Sequence, residues 1–167
     1  MKFSKLIIAC FCLIQFSCST DALNPINEQE IEVSDLVGVW NLTDLRLAEG
    51  FNTPSLNLAG EIVDELVKQN CFSVTFVFNA DGSASTQDRV DFIEINPTLT
   101  RLEVPCPQGS DSETIIWSLE GDQLTISNES QEVETITIQL EDDTLIISGE
   151  VINEENYSGA EAIFTRL

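Results

Sequence analysis

Phe72-Ser73-Val74-Thr75-Phe76-Val77-Phe78, followed at once by Asn79-Ala80-Asp81-Gly82, is the stretch that decides the fold. Apolar side chains at 72, 74, 76 and 78 recur with period 2, so all four project from one face of an extended strand. The next four residues are turn formers, and the chain returns through Ser83 to about Ile95 as the second arm of a hairpin. Outward from this hairpin the same grammar repeats. Residues 36–47 form an earlier β-type run. Ile115, Trp117 and Leu119 share a face, and a Glu120-Gly121-Asp122 turn leads to Leu124 and Ile126. Ile136, Ile138 and Leu140 share the next face, Glu141-Asp142-Asp143 turns the chain into Leu145 and Ile147, and the last run covers 159–167. Eight short strands separated by turn signals predict an all-β antiparallel sandwich or barrel.

One segment departs from period 2. Between residues 55 and 69, Leu58/Ile62/Leu66 and Ala59/Val63/Val67 recur at helical spacing, with Glu61, Asp64, Glu65 and Lys68 opposite. This predicts an amphipathic helix whose apolar stripe is buried against the rest of the domain. Its acidic polar face argues against a membrane-surface role. Residues 96–112 are polar, carry prolines on both sides of Cys106, and read as a loop.

The N-terminus carries a different message. Met1-Lys2-Phe3-Ser4-Lys5 is basic, and residues 6–16 are apolar apart from Gln15. A basic start and an apolar run of this length describe an export signal rather than a transmembrane helix, which needs about 20 apolar residues. Ser17-Cys18 closes the run like a lipobox, although Gln15 stands where leucine is usual. Cys18 is therefore the expected lipidation site, with 1–17 a lipoprotein signal peptide, 18–34 a flexible tether and 35–167 the folded domain. Cleavage beyond Cys18 would instead give a soluble secreted protein. The cysteine count fits lipidation: of five cysteines, Cys10 and Cys12 leave with the signal and Cys18 takes lipid, so Cys71 and Cys106 remain as one pair. In an oxidising compartment they are expected to form a disulfide, the alternative being two separate buried thiols.

Composition narrows function by exclusion. Seven basic residues, two of them in the signal, face 29 acidic ones, giving a formal net charge of −22. That field repels nucleic acid and anionic lipid. The sequence holds no histidine, which removes Ser-His-Asp and Cys-His catalysis. A carboxylate-pair hydrolase remains formally open, but with this many acids proximity of two carboxylates carries no signal, and no enzyme is expected. Asp81-Gly82 and Glu141-Asp142-Asp143 lack the alternating ligand spacing of a calcium loop and read as turns, so neither metal nor cofactor is expected.

Several features in fixed order carry a resemblance. Leu36-Val37-Gly38-Val39-Trp40-Asn41-Leu42 opens the first strand with Gly-x-Trp. Cys71, Phe76-x-Phe78-x-x-Asp81-Gly82, Cys106 and Trp117-Ser118-Leu119-Glu120-Gly121-Asp122 follow, and the chain ends in Ala162-Ile163-Phe164-Thr165-Arg166. Residues 35–167 thus resemble the lipocalin-like lipoproteins of Bacteroidetes. The resemblance implies a small eight-stranded up-and-down barrel with one amphipathic helix inserted after the first strand. It implies that Arg166 lies across Trp40 at the closed end as a structural pair. It also implies that the helix-bearing loop after the first strand lies at the open end, where the helix would act as a lid. Asp143-Thr144-Leu145 additionally resembles the short acceptor motif of Bacteroidetes protein O-glycosylation.

The expected function is then non-catalytic binding of a small apolar or amphiphilic ligand by a lipid-anchored cell-envelope protein, on the periplasmic or surface face of the outer membrane. Phe72, Val74, Phe76 and Phe78, with Ile62 and Leu66 of the helix, are the candidate cavity lining. The alternative is that these side chains simply fill the barrel, since eight strands enclose a space just wide enough for either. The chain would then be an accessory module contacting another envelope protein. An arginine (Arg46, Arg89 or Arg101) pointing into the mouth would suggest an anionic ligand.

Overall fold

The computed structural model describes residues 31–47, 53–97, 102–128, 130, 132–152 and 157–167. The export signal, Cys18 and Arg101 lie outside the described residues. A one-turn helix α1 (Val33–Leu36) leads into β1 (Gly38–Leu47), and α2 (Pro54–Lys68) precedes β2 (Val74–Phe78) and β3 (Ser83–Asp88). A 3-10 turn (Val90–Phe92) and a ribbon of β4 (Asn96–Pro97) and β5 (Leu102–Glu103) come next. Then follow β6 (Asp111–Glu120), β7 (Gln123–Ser127), β8 (Val133–Glu141), β9 (Thr144–Ser148), the short α3 (Gly149–Ile152) and β10 (Ala160–Arg166). Eight of the strands close into an antiparallel barrel in the order β1-β10-β9-β8-β7-β6-β3-β2. The barrel and the helix after its first strand are as the sequence predicts.

Several boundaries differ from expectation, each for a local reason. The second hairpin arm ends at Asp88 rather than near Ile95, because Asp88 Oδ1 accepts from Val90 N (2.7 Å) and turns the backbone into the 3-10 segment. The expected loop 96–112 contains the β4–β5 ribbon and the start of β6. The expected boundary between tether and domain falls inside α1, and Ile31 already packs on the core.

β1 shows how register keeps an acid out of the core. Trp40 and Leu42 point inward, so strict alternation would bring Asp44 inward next. The register shifts between Leu42 and Asp44, which puts Leu45 in the core and leaves Asp44 exposed. Thr43 Oγ1 stitches the irregularity to β10 by donating to the Ile163 carbonyl (3.2 Å).

One end of the barrel is sealed. Trp40, Phe78, Trp117, Leu124, Ile138, Leu145 and Phe164 are buried together there and along the interior. Phe78 meets Trp117 edge-on at 5.3 Å, and Phe76 packs on Phe164 at 5.1 Å. The Asn79–Ser83 turn closes this end between β2 and β3. Asp81 accepts from the Ser83 backbone (2.9 Å) and hydroxyl (2.6 Å), which holds its carboxyl below the usual aspartate range.

Arg166 bolts the same end. Its guanidinium lies 4.5 Å above the Trp40 ring and donates to the carbonyls of Asp35 and Val37 (3.3 Å for the latter). Trp40 Nε1 donates to the Leu36 carbonyl at 2.8 Å. The carbonyls that a helix terminus leaves unpaired are thus satisfied by the two residues of the stack. Gly38 has φ +149°, a backbone conformation that residues with a side chain rarely adopt, which accounts for the glycine of Gly-x-Trp. The pairing implied by the resemblance is present.

Candidate functional site

The opposite end is open. Here the chain offers the start of β2, the end of β3, the start of β6, the end of β7 with Asn128, Glu132 with the start of β8, and α3. Together they enclose a cavity of about 320 Å³. Its apolar surface comes from Val74, Phe76, Ile115 and Ile126, with Val133, Val151 and Ile152 toward the edge. Its polar surface includes Thr86, Ser127 and Asn128 and four carboxylates, Asp88, Glu113, Glu132 and Glu134. Alternation within each strand explains the mixture: Ile115 faces the interior, and Glu113, two residues earlier on the same face, has reached the mouth.

Electrostatics are one-sided. Among the described residues no lysine or arginine lines the cavity. Partial burial pushes the Asp88 carboxyl above its ordinary value, the hydrogen bond from Val90 works against this, and the charges of Asp91 and Asp111 push it further up. Tyr157 lies buried nearby. Burial raises its hydroxyl to about 12, the neighbouring Ser73 side chain opposes the rise, and the Asp88 charge adds to it. Ser73 Oγ is itself buried without a hydrogen-bond partner among the described residues. Arg46 is engaged outside with Glu161 (2.6 Å), and Arg89 donates to the Phe72 carbonyl (3.3 Å). Neither cation reaches the mouth.

Of the six expected lining residues, the cavity uses Val74 and Phe76. Phe78 lies deeper, against Trp117, and contributes to the sealed end. Phe72 falls before β2 begins, because pairing with β3 starts at Val74–Asp88, and it lines no part of the cavity. Ile62 and Leu66 do not line it either. They join Cys71, Val104, Ile93, Leu102 and Cys106 in a small second core outside the barrel.

The lid expectation is corrected with them, since no residue of α2 lines the cavity. The helix is anchored at its start by Thr53 Oγ1, which accepts from Leu56 N (3.3 Å). It runs along β1, where Val63 enters the barrel core. Leu58, expected on its apolar stripe, is exposed. At its other end Gln69 Nε2 donates to the Val104 carbonyl (2.8 Å), and the Cys71–Cys106 disulfide joins the strand-entry segment to the segment after the ribbon. The predicted disulfide is therefore present, with its Cα atoms 5.9 Å apart. Val151 and Ile152 of α3, together with Ser127, Asn128, Glu132 and Val133, form the mouth wall that sequence reasoning missed. A four-residue helix shows no period, and the polar residues around Ser127–Glu134 look like any surface turn.

No curated protein matches the chain in sequence. Two crystal structures resemble it in fold. A lipocalin-like protein from Bacteroides uniformis ATCC 8492 is 19% identical, with 80% of this chain and 99% of that one covered at a TM-score of 0.42. An uncharacterized protein from Bacteroides eggerthii DSM 20697 is 12% identical, with 78% and 98% covered at a TM-score of 0.40. At such scores neither carries an argument about the site. The model of the lipocalin-like domain family matches residues 36–147, two thirds of the sequence from the Gly-x-Trp strand to β9. With the closed eight-stranded barrel and the Trp40–Arg166 stack in place, the chain belongs to the lipocalin-like domain family.

Proposed function

We propose that the protein is a non-catalytic binder of a small apolar or amphiphilic molecule, held in the open end of the barrel. The observation that carries this reading is the cavity of about 320 Å³, which lies within the range of small-molecule sites. A barrel packed throughout, as the accessory-module reading requires, would leave no such space beside Val74 and Phe76. Displacement of a neutral fluorophore such as Nile red tests it. One saturable site is expected, abolished when Ile126→Trp fills the cavity. Absence of saturable binding, or binding indifferent to that substitution, overturns the reading.

We also propose that the chain is exported and lipid-anchored through Cys18 in the cell envelope. Its signal-like N-terminus and the even cysteine set left after lipidation support this. Because α1 enters at the sealed end, a tether upstream of it would leave the mouth pointing away from the anchoring surface. Mass spectrometry of the protein from its own envelope, with Cys18→Ser as comparison, tests it: a diacyl or triacyl adduct on Cys18 is expected, and an unmodified soluble product overturns it.

A further inference from the structure

We propose that the mouth selects amphiphilic organic cations, molecules with a short apolar body and one ammonium-type group. This deepens the binding reading and rests on it. The inner surface, made by Val74, Phe76, Ile115 and Ile126, is mainly hydrocarbon and aromatic, with Thr86 beside Phe76, and Val133 continues that surface to the exposed edge. Around it stand Asp88, Glu113, Glu132 and Glu134, without a basic side chain among the described residues of the lining. Among the described residues none of the four is paired with a lysine or arginine; the ion pairs there are Arg46–Glu161, Lys68–Glu65 and Arg166–Asp143.

An apolar cavity with an unneutralised carboxylate rim discriminates by headgroup. A ligand that buries its tail brings its polar end to the rim, where low-dielectric walls focus the field of the carboxylates. A carboxylate headgroup meets like charge, an alcohol gains little, and an ammonium gains Coulomb attraction and charge-assisted hydrogen bonds. Asp88 adds to the asymmetry. It is partly withdrawn from water beside Asp91 and Asp111, so a cation at the rim relieves repulsion already present in the empty site.

The experiment compares three probes with one tail, octylamine, octanol and octanoate, as competitors of Nile red at neutral pH and low salt. The expected order is octylamine about tenfold tighter than octanol, with octanoate weakest, and a gap that narrows as salt is added. The double variant Glu113→Gln/Glu134→Gln is expected to bring the amine down to the level of the alcohol. A control, Glu120→Gln/Glu141→Gln, removes equal charge next to the turns of the sealed end and is expected to leave all three affinities unchanged. Equal binding of amine and alcohol overturns the cation proposal while leaving the binding reading intact. Equal loss in the rim and control variants also overturns it, because the preference would then belong to the whole acidic surface. Failure of all three probes to compete with saturably bound Nile red overturns the cation proposal alone, whereas absence of saturable Nile red binding overturns both.

Discussion

Gly149 and Tyr157 approach so closely that a β-carbon on Gly149 would stand 2.3 Å from the Tyr157 carbonyl oxygen and 2.9 Å from its β-carbon. Backbone, rather than the end of a flexible side chain, occupies the space. Gly149→Ala must therefore push the segment before β10 away from the start of α3. A loss of about 1–3 kcal/mol is expected, in the range of overpacking in a tight interior. Urea unfolding measures it. Because α3 supplies Val151 and Ile152 to the mouth, ligand affinity should fall with stability.

The bolt at the sealed end predicts a graded series. Arg166→Lys keeps the charge and much of the stem over Trp40 but loses the planar fork that reaches both Asp35 and Val37. Arg166→Ala loses the stack as well. Costs of about 1 and about 2–3 kcal/mol are expected, with tryptophan emission shifting to the red as Trp40 meets water. Equal costs for the two variants would show that the hydrogen-bond fork, rather than the stack, carries the whole effect.

The disulfide closes a separation of 35 residues, for which chain entropy gives a stabilisation of about 3–4 kcal/mol. Cys71→Ser/Cys106→Ser should lose roughly that much in chemical denaturation. The damage should be local first. Hydrogen exchange is expected to accelerate in α2 and the β4–β5 ribbon, which share the second core, before it does in the barrel strands.

Tyr157 is the only tyrosine, so its ionisation can be followed alone by near-ultraviolet phenolate absorbance. In the fold its midpoint is expected at about 12, against 10.0 for an unburied phenol. The sign follows from proton linkage. Above pH 10.0 the unfolded chain releases this proton while the folded one keeps it, so stability declines as pH rises from there until about 12. Ser73→Ala removes the neighbour that opposes the rise and should move the midpoint higher still.

The barrel was legible because its evidence is local. Period 2 at Val74, Phe76 and Phe78 needs only one strand, and 3.6-residue spacing announced α2 equally well. The disulfide followed from counting. Where α2 would dock was not legible, because a helix wedged between β1 and the ribbon buries two faces. Val63 goes to one core and Leu66 to the other. Its stripe says that something covers it, not what. The cavity was harder still. Val74, Thr86, Glu113, Ser127 and Val151 come from five segments and meet only once the ring has closed. Phe72 illustrates the opposite error, since the apolar period runs on past the last ladder pair that gives it meaning.

The seam between β1 and β10 is an antiparallel ladder like the others in the ring, apart from its register shift at Leu42–Asp44, and Leu167 N donates to the Val39 carbonyl at 3.0 Å. The end of the last strand therefore lies alongside the start of the first. A closed ring of this kind has no privileged point of opening. Bridged at that seam and reopened at Asp142–Asp143, the same strands would keep the same neighbours in a rearranged chain order, so the architecture is a property of the cycle rather than of where the ribosome began it.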